Sequence, residues 1–106
     1  MIPAESYLVQ ILLPIANGNG GPIGQAWFEE FLKELTDRFG GATSFVRAPG
    51  QGLWHSDGAV ERDNIAVIEV MAKELDRPFW WTLRQRLERE LSQKEIVIRG
   101  QKISRL

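Results

Sequence analysis

The sequence predicts an α+β sandwich, a four-stranded antiparallel sheet carrying two helices on one face. Three observations lead there. Patterned segments follow one another as strand, helix, strand, strand, helix, strand, and they fill nearly all of the 106 residues. Stretches rich in glycine and proline fall between them, where turns belong. The apolar period is two in the strand segments and 3.6 in the helical ones.

The first strand is Tyr7–Leu13, rich in β-formers and closed by Pro14. Alternation puts Tyr7, Val9, Ile11 and Leu13 on one face and Leu8, Gln10 and Leu12 on the other. The first set is apolar throughout and makes the better core face. Ala16–Pro22, with Gly18, Gly20 and Gly21, reads as a loop. A helix follows from about Ile23 to Phe39, because Phe28, Phe31, Leu32, Leu35 and Phe39 form one stripe. Glu29, Glu30, Lys33, Glu34 and Asp37 cover its other side, and Gly40-Gly41 stops it.

The second strand is Ala42–Arg47, centred on Phe45 and Val46. Ala48–Gly58 reads as a connection with a hairpin that includes Leu53 and Trp54. Asn64–Ala72 is the clearest strand, with Ile68 and Val70 on one face and Val67, Glu69 and Met71 on the other. Asp76-Arg77-Pro78 starts the second helix, with Asp as N-cap and Pro in the first turn. That helix runs to about Leu91 on a stripe of Trp80, Leu83, Leu87 and Leu91. Arg84–Glu88, Arg86–Glu90 and Glu90–Lys94 are i,i+4 pairs on its wet face. Glu95–Arg99 is the last strand, with Ile96 and Ile98 inward and Gln101–Leu106 as an extension or tail.

Segment order and two right-handed crossovers give a ferredoxin-like βαββαβ sandwich, with the strands in order 4-1-3-2. The face away from the helices then holds Leu8, Gln10, Leu12, Val67, Glu69, Met71, Val97 and Arg99. So many aliphatic groups on a bare sheet mark a partner or ligand surface. Face-to-face pairing of two copies, a homodimer, is the simplest cover.

Composition bounds the function. The length fits one domain, residues 1–106, with 43% apolar and 25% charged residues. Thirteen basic against fourteen acidic residues, a net charge of −1, argue against a nucleic-acid partner. There is no cysteine, which removes disulfides, thiolate nucleophiles and Cys-ligated zinc. The apolar start of the chain lacks a basic region and carries Glu5 and Gln10, so it reads as strand and not as signal peptide. No run reaches the length of a membrane span. A soluble, cytoplasmic protein without cofactor or metal is the expectation; one histidine and no ligand-spaced carboxylates offer little to an ion.

Four features could carry chemistry. His55, the single histidine, sits in Trp54-His55-Ser56-Asp57 and is the first candidate for acid/base catalysis. Adjacent residues do not make a triad, so a solvated turn histidine stands beside that reading. The Asn17–Gly21 loop before a helix start could hold an anion, but it has no basic residue and no phosphate-loop ending. Phe79-Trp80-Trp81 places aromatic rings on three directions of one helix. With Trp80 in the core, Trp81 becomes a rim residue near Arg84 or an anchor for another chain. Gln10, Glu69 and Arg99 would form a polar cluster among aliphatics on the open face, as in a small-molecule pocket, with Glu69 pairing to Arg99. A structural ion pair beneath a dimer interface is the alternative. Gln10, Glu69, Arg99, Trp54 and Trp81 are therefore the candidate binding residues, and His55 the candidate catalytic one.

Over residues 7–104 this segment order resembles small bacterial ferredoxin-like domains of unknown function. It also resembles the dimeric α/β-barrel class, which includes small monooxygenases and degradative lyases. That likeness implies paired open sheets and a pocket between sheet and helices. Catalytic residues vary within the class, so it assigns none here. RNA-recognition domains share the order, but Asn64–Val70 lacks their stacking aromatics. The resulting expectation is a non-catalytic homodimeric ligand-binding or interaction module, with a small dimeric-barrel enzyme, monooxygenase- or lyase-like and using His55 as acid/base, as the alternative.

Overall fold

A computed structural model describes residues 5–15, 21–47, 53–56, 59–62 and 65–106. Its elements are β1 (Glu5–Pro14), α1 (Gln25–Phe39), β2 (Thr43–Arg47), β3 (Leu53–Ser56), β4 (Ala59–Arg62), β5 (Ile65–Ala72), α2 (Arg77–Glu90) and β6 (Val97–Ser104). β2-β5-β1-β6 form one sheet with every neighbour antiparallel. This is the predicted order and the ferredoxin-like arrangement. β3 and β4 pair only with each other, as a separate two-stranded sheet.

The inward set on β1 is Val9, Ile11 and Leu13, each at most 1% exposed. They join Ile68 and Val70 of β5, Phe31 and Leu35 of α1, and Trp80, Leu83 and Leu87 of α2 in one core. Burying an aliphatic or aromatic side chain of this kind contributes about 1.5–3 kcal/mol. Both helices therefore cover the same sheet face, and the stripes read from the sequence are the ones that do so.

The helix ends show what local chemistry decides. Gly24 caps α1 with extended backbone and no side-chain bond, so the helix begins two residues later than Ile23. Gly40 ends it in the left-handed region at φ 84°, its N–H donating to the Thr36 carbonyl. Asp76 caps α2 as expected, accepting from the Phe79 N–H at 3.1 Å. Arg38 joins the two helix ends, 3.6 Å from the Asp76 carboxylate and with its guanidinium 3.7 Å from the Phe79 ring centroid. α2 ends without glycine, and Ser92 takes the left-handed turn at φ 50°.

β6 departs furthest from expectation. It starts at Val97 and continues to Ser104, because β1 offers partners as far as Glu5. Ile96 lies just before it, buried, with its N–H bonded to the Glu88 carboxylate at 3.0 Å.

Candidate functional site

The open face of the sheet takes its side chains from alternate positions of four strands. Register aligns Thr43, Glu69, Gln10 and Arg99 in one row across β2, β5, β1 and β6. Gln10 Nε2 donates to Glu69 Oε2 at 2.6 Å, and Arg99 Nε donates to Gln10 Oε1 at 2.8 Å. Both ends of one amide are engaged, which fixes its orientation. The expected direct Glu69–Arg99 pair is replaced by this relay. β1 lies between β5 and β6, so the two charges sit two strand spacings apart, about 9.5 Å of backbone.

Aliphatic rows flank the polar one. Leu8 faces Met71 in register, and Leu12 lies between Val67 and Val97. Met71 is 52% and Val97 44% exposed, while Leu8 and Leu12 are half-buried. Val67 differs from the expectation of a bare face. It is fully buried although it stands outside the helix-side core, flanked in register by Leu12 and Phe45. The open face is thus closed near Val67 and uncovered toward Met71 and Val97.

Two concavities adjoin the relay. One, about 510 Å³, lies where β2 begins and brings Leu8, Thr43, Glu69, Met71, Lys73 and Arg105 together. The other, about 250 Å³, is formed by Leu8, Gln10, Arg99, Gly100 and Gln101. They share Leu8, with Glu69 bordering the first and Arg99 the second. A ligand on this face would meet a carboxylate at one end and a guanidinium at the other, over aliphatic surface.

The remaining candidates lie elsewhere. Trp54 and His55 belong to β3, paired with Glu61 and Val60 of β4; their side chains are outside what the structure describes, as is most of the Asn17–Gly21 loop. Trp81 is 57% exposed on α2, off the core stripe. Among the described residues the arginine stacked on an aromatic ring is Arg38, on Phe79. A further groove between α1 and α2, about 520 Å³, is acidic, with Glu30, Glu34, Asp37 and Glu90 in its wall. Its Arg86 is held by Glu34 through two bonds of 2.9 and 3.0 Å, and lies 3.7 Å from Glu90. Only tertiary packing brings Glu34 and Arg86 together, and no sequence signal pairs them. Among the described residues no three His, Asp or Glu converge as metal ligands. No described helix is long and apolar enough to cross a membrane.

These features define an α+β domain of ferredoxin-like architecture with a polar relay set between largely aliphatic rows of the sheet face away from the helices. Among solved structures the chain is similar to a phage SAM lyase in complex with S-methyl-5'-thioadenosine. The TM-score is 0.64 at 14% identity, over 95% of this chain and 85% of that one. At that identity the likeness establishes the fold. No family model and no curated protein matches the sequence.

Proposed function

We propose that this chain is a small-molecule-binding module that acts as a homodimer, with the open sheet faces of two copies packed together and ligand held against the Glu69–Gln10–Arg99 relay. The observation that carries the reading is the relay itself: a bonded carboxylate–amide–guanidinium row in the middle of an aliphatic surface. A ligand site has this composition, mostly apolar with a few fixed polar groups. Uncovered Met71 and Val97 on the same face supply the surface that a second copy would bury.

Native mass spectrometry tests both halves together. The expected result is a dimer that retains added mass from its source or takes it up from an offered compound. Met71→Asp and Val97→Asp, on the contact surface, should yield monomer. A clean monomer of the unaltered chain at micromolar concentration would remove the dimer from the proposal.

A second reading is that of an enzyme. It is favoured by the likeness, over nearly the whole chain, to a lyase that binds an adenosine thioether, and by the mid-sheet carboxylate of Glu69. S-methyl-5'-thioadenosine is accordingly the first compound to offer. Incubation with SAM, followed by chromatography for that thioether, separates the readings. Turnover lost in Glu69→Gln or His55→Ala would make the chain an enzyme. Binding without turnover would leave it a module.

A further inference from the structure

A separate groove of about 280 Å³ lies between α2 and the β1–β6 side of the sheet, lined by Leu75, Arg77, Trp80, Trp81, Arg84 and Gly100 with flanking aliphatics. We propose that it binds a small aromatic carboxylate, the ring lying against Trp81 and the carboxylate held by Arg77. The charge, the indoles, the floor and the size of the groove support this assignment.

Arg77, Trp81 and Arg84 stand at i, i+4 and i+7 and so share one helix face. No carboxylate lines the groove, in contrast to the acidic one between α1 and α2. Arg84 lies 3.7 Å from Glu88, whereas Arg77 has no ion pair among the described residues. One guanidinium is therefore tethered beside the ring, and the other is available to an anion in the bidentate manner that suits a carboxylate.

Trp81 leaves more than half its surface in water at the groove, with no ring stacked on it among the described residues. A planar ligand would cover that surface. Trp80, beside it, is 94% buried, and its Nε1–H has no acceptor among the described residues. A buried donor without partner is costly, and the Trp80 side chain that carries it lines the groove wall.

The floor is kept low by Gly100, in the interior of β6, where a glycine weakens a strand and marks close approach. A Cβ there would stand 3.3 Å from Leu75 Cδ1 and 3.7 Å from Val9 Cγ2. The groove's volume is near the lower end for ligand pockets, which suits one or two rings rather than a nucleotide.

The test is an amide NMR titration with naphthalene-2-carboxylate, and with naphthalene-2-carboxamide as the neutral control. Indole N–H signals are assigned by single Trp→Phe variants. The acid is expected to move the Trp80 and Trp81 indole signals, and the neutral amide to bind roughly tenfold or more weakly. Arg77→Gln should weaken the acid by a similar factor and erase its advantage over the amide, while Arg84→Gln has the smaller effect. Trp81→Ala should weaken acid and amide alike. Unmoved indole signals at the solubility limit of the acid would overturn the proposal. So would equal affinity for acid and amide, or an acid affinity untouched by Arg77→Gln.

Discussion

Replacing Gln10 by leucine should destabilise the protein, although it places an apolar side chain between Leu8 and Leu12 on an aliphatic face. The magnitude follows from the relay. Gln10 donates to a half-buried carboxylate at 2.6 Å and accepts from a guanidinium at 2.8 Å. A hydrogen bond to a charged group is worth about 1.5–3 kcal/mol when fully shielded, and leaving the charge behind unpaired costs a comparable amount. Solvent reaches this face, which lowers the figure, and leucine recovers some apolar burial. The net loss is about 1–2 kcal/mol, or roughly 5–10 °C in Tm for a domain of this size. Adding Glu69→Leu removes the half-buried stranded charge and leaves only the exposed, solvated Arg99 without its partner, so the double variant should return to within about 0.5 kcal/mol of the starting protein or exceed it. Urea denaturation at two protein concentrations measures this, because an associating face makes stability depend on concentration. A costless Gln10→Leu, or a double variant whose loss equals the sum of the two singles, would refute the reasoning. A gain in the double variant would mean that the relay is not maintained for stability, which favours a ligand role.

Three further outcomes follow from local chemistry, each read by denaturation. Asp76→Ala removes the side-chain cap on the Phe79 N–H and the partner of Arg38, and should cost about 1 kcal/mol; an unchanged midpoint would mean that the cap is not formed in solution. Ser92→Gly should stabilise by about 0.5–1 kcal/mol, because a serine held at φ 50° carries left-handed strain that glycine lacks; a loss would show that its side chain contributes more than the strain. Leu87→Ala, at a position with no exposed surface in the centre of the core, should cost about 2–5 kcal/mol, and a value below 1 would place α2 differently on the sheet.

The architecture was legible where chemistry repeats along the chain. Period-two alternation in β1 and β5 placed Val9, Ile11, Ile68 and Val70 inward, and Asp76 with Pro78 marked the start of α2. Parity and strand order together also put Gln10, Glu69 and Arg99 on one face. What alternation leaves undetermined is who touches whom. That Gln10 bridges the two charges depends on register. The burial of Val67 is not announced by its place on the open face, and the Arg86–Glu34 bond depends on how two helices pack. Ser92 sits in a conformation that its residue type does not announce, and the length of β6 was set by its partner β1 rather than by its own composition.

The place of β1 in the sheet governs how the chain is made. Its strand partners, β5 and β6, both come from the second half of the sequence, the pairings reaching from Pro14↔Ile65 to Glu5↔Ser104. At the usual pace of synthesis, about 5–20 residues per second, several seconds separate the emergence of Val9, Ile11 and Leu13 from that of β5, the first strand to pair with β1, and of α2, which completes the cover of their face. Helix α1 and the β3–β4 hairpin are local and can form in that interval, whereas β1 waits with both hydrogen-bonding edges unpaired and its apolar face without the cover of α2. Exposure to aggregation is therefore greatest before β5 leaves the ribosome.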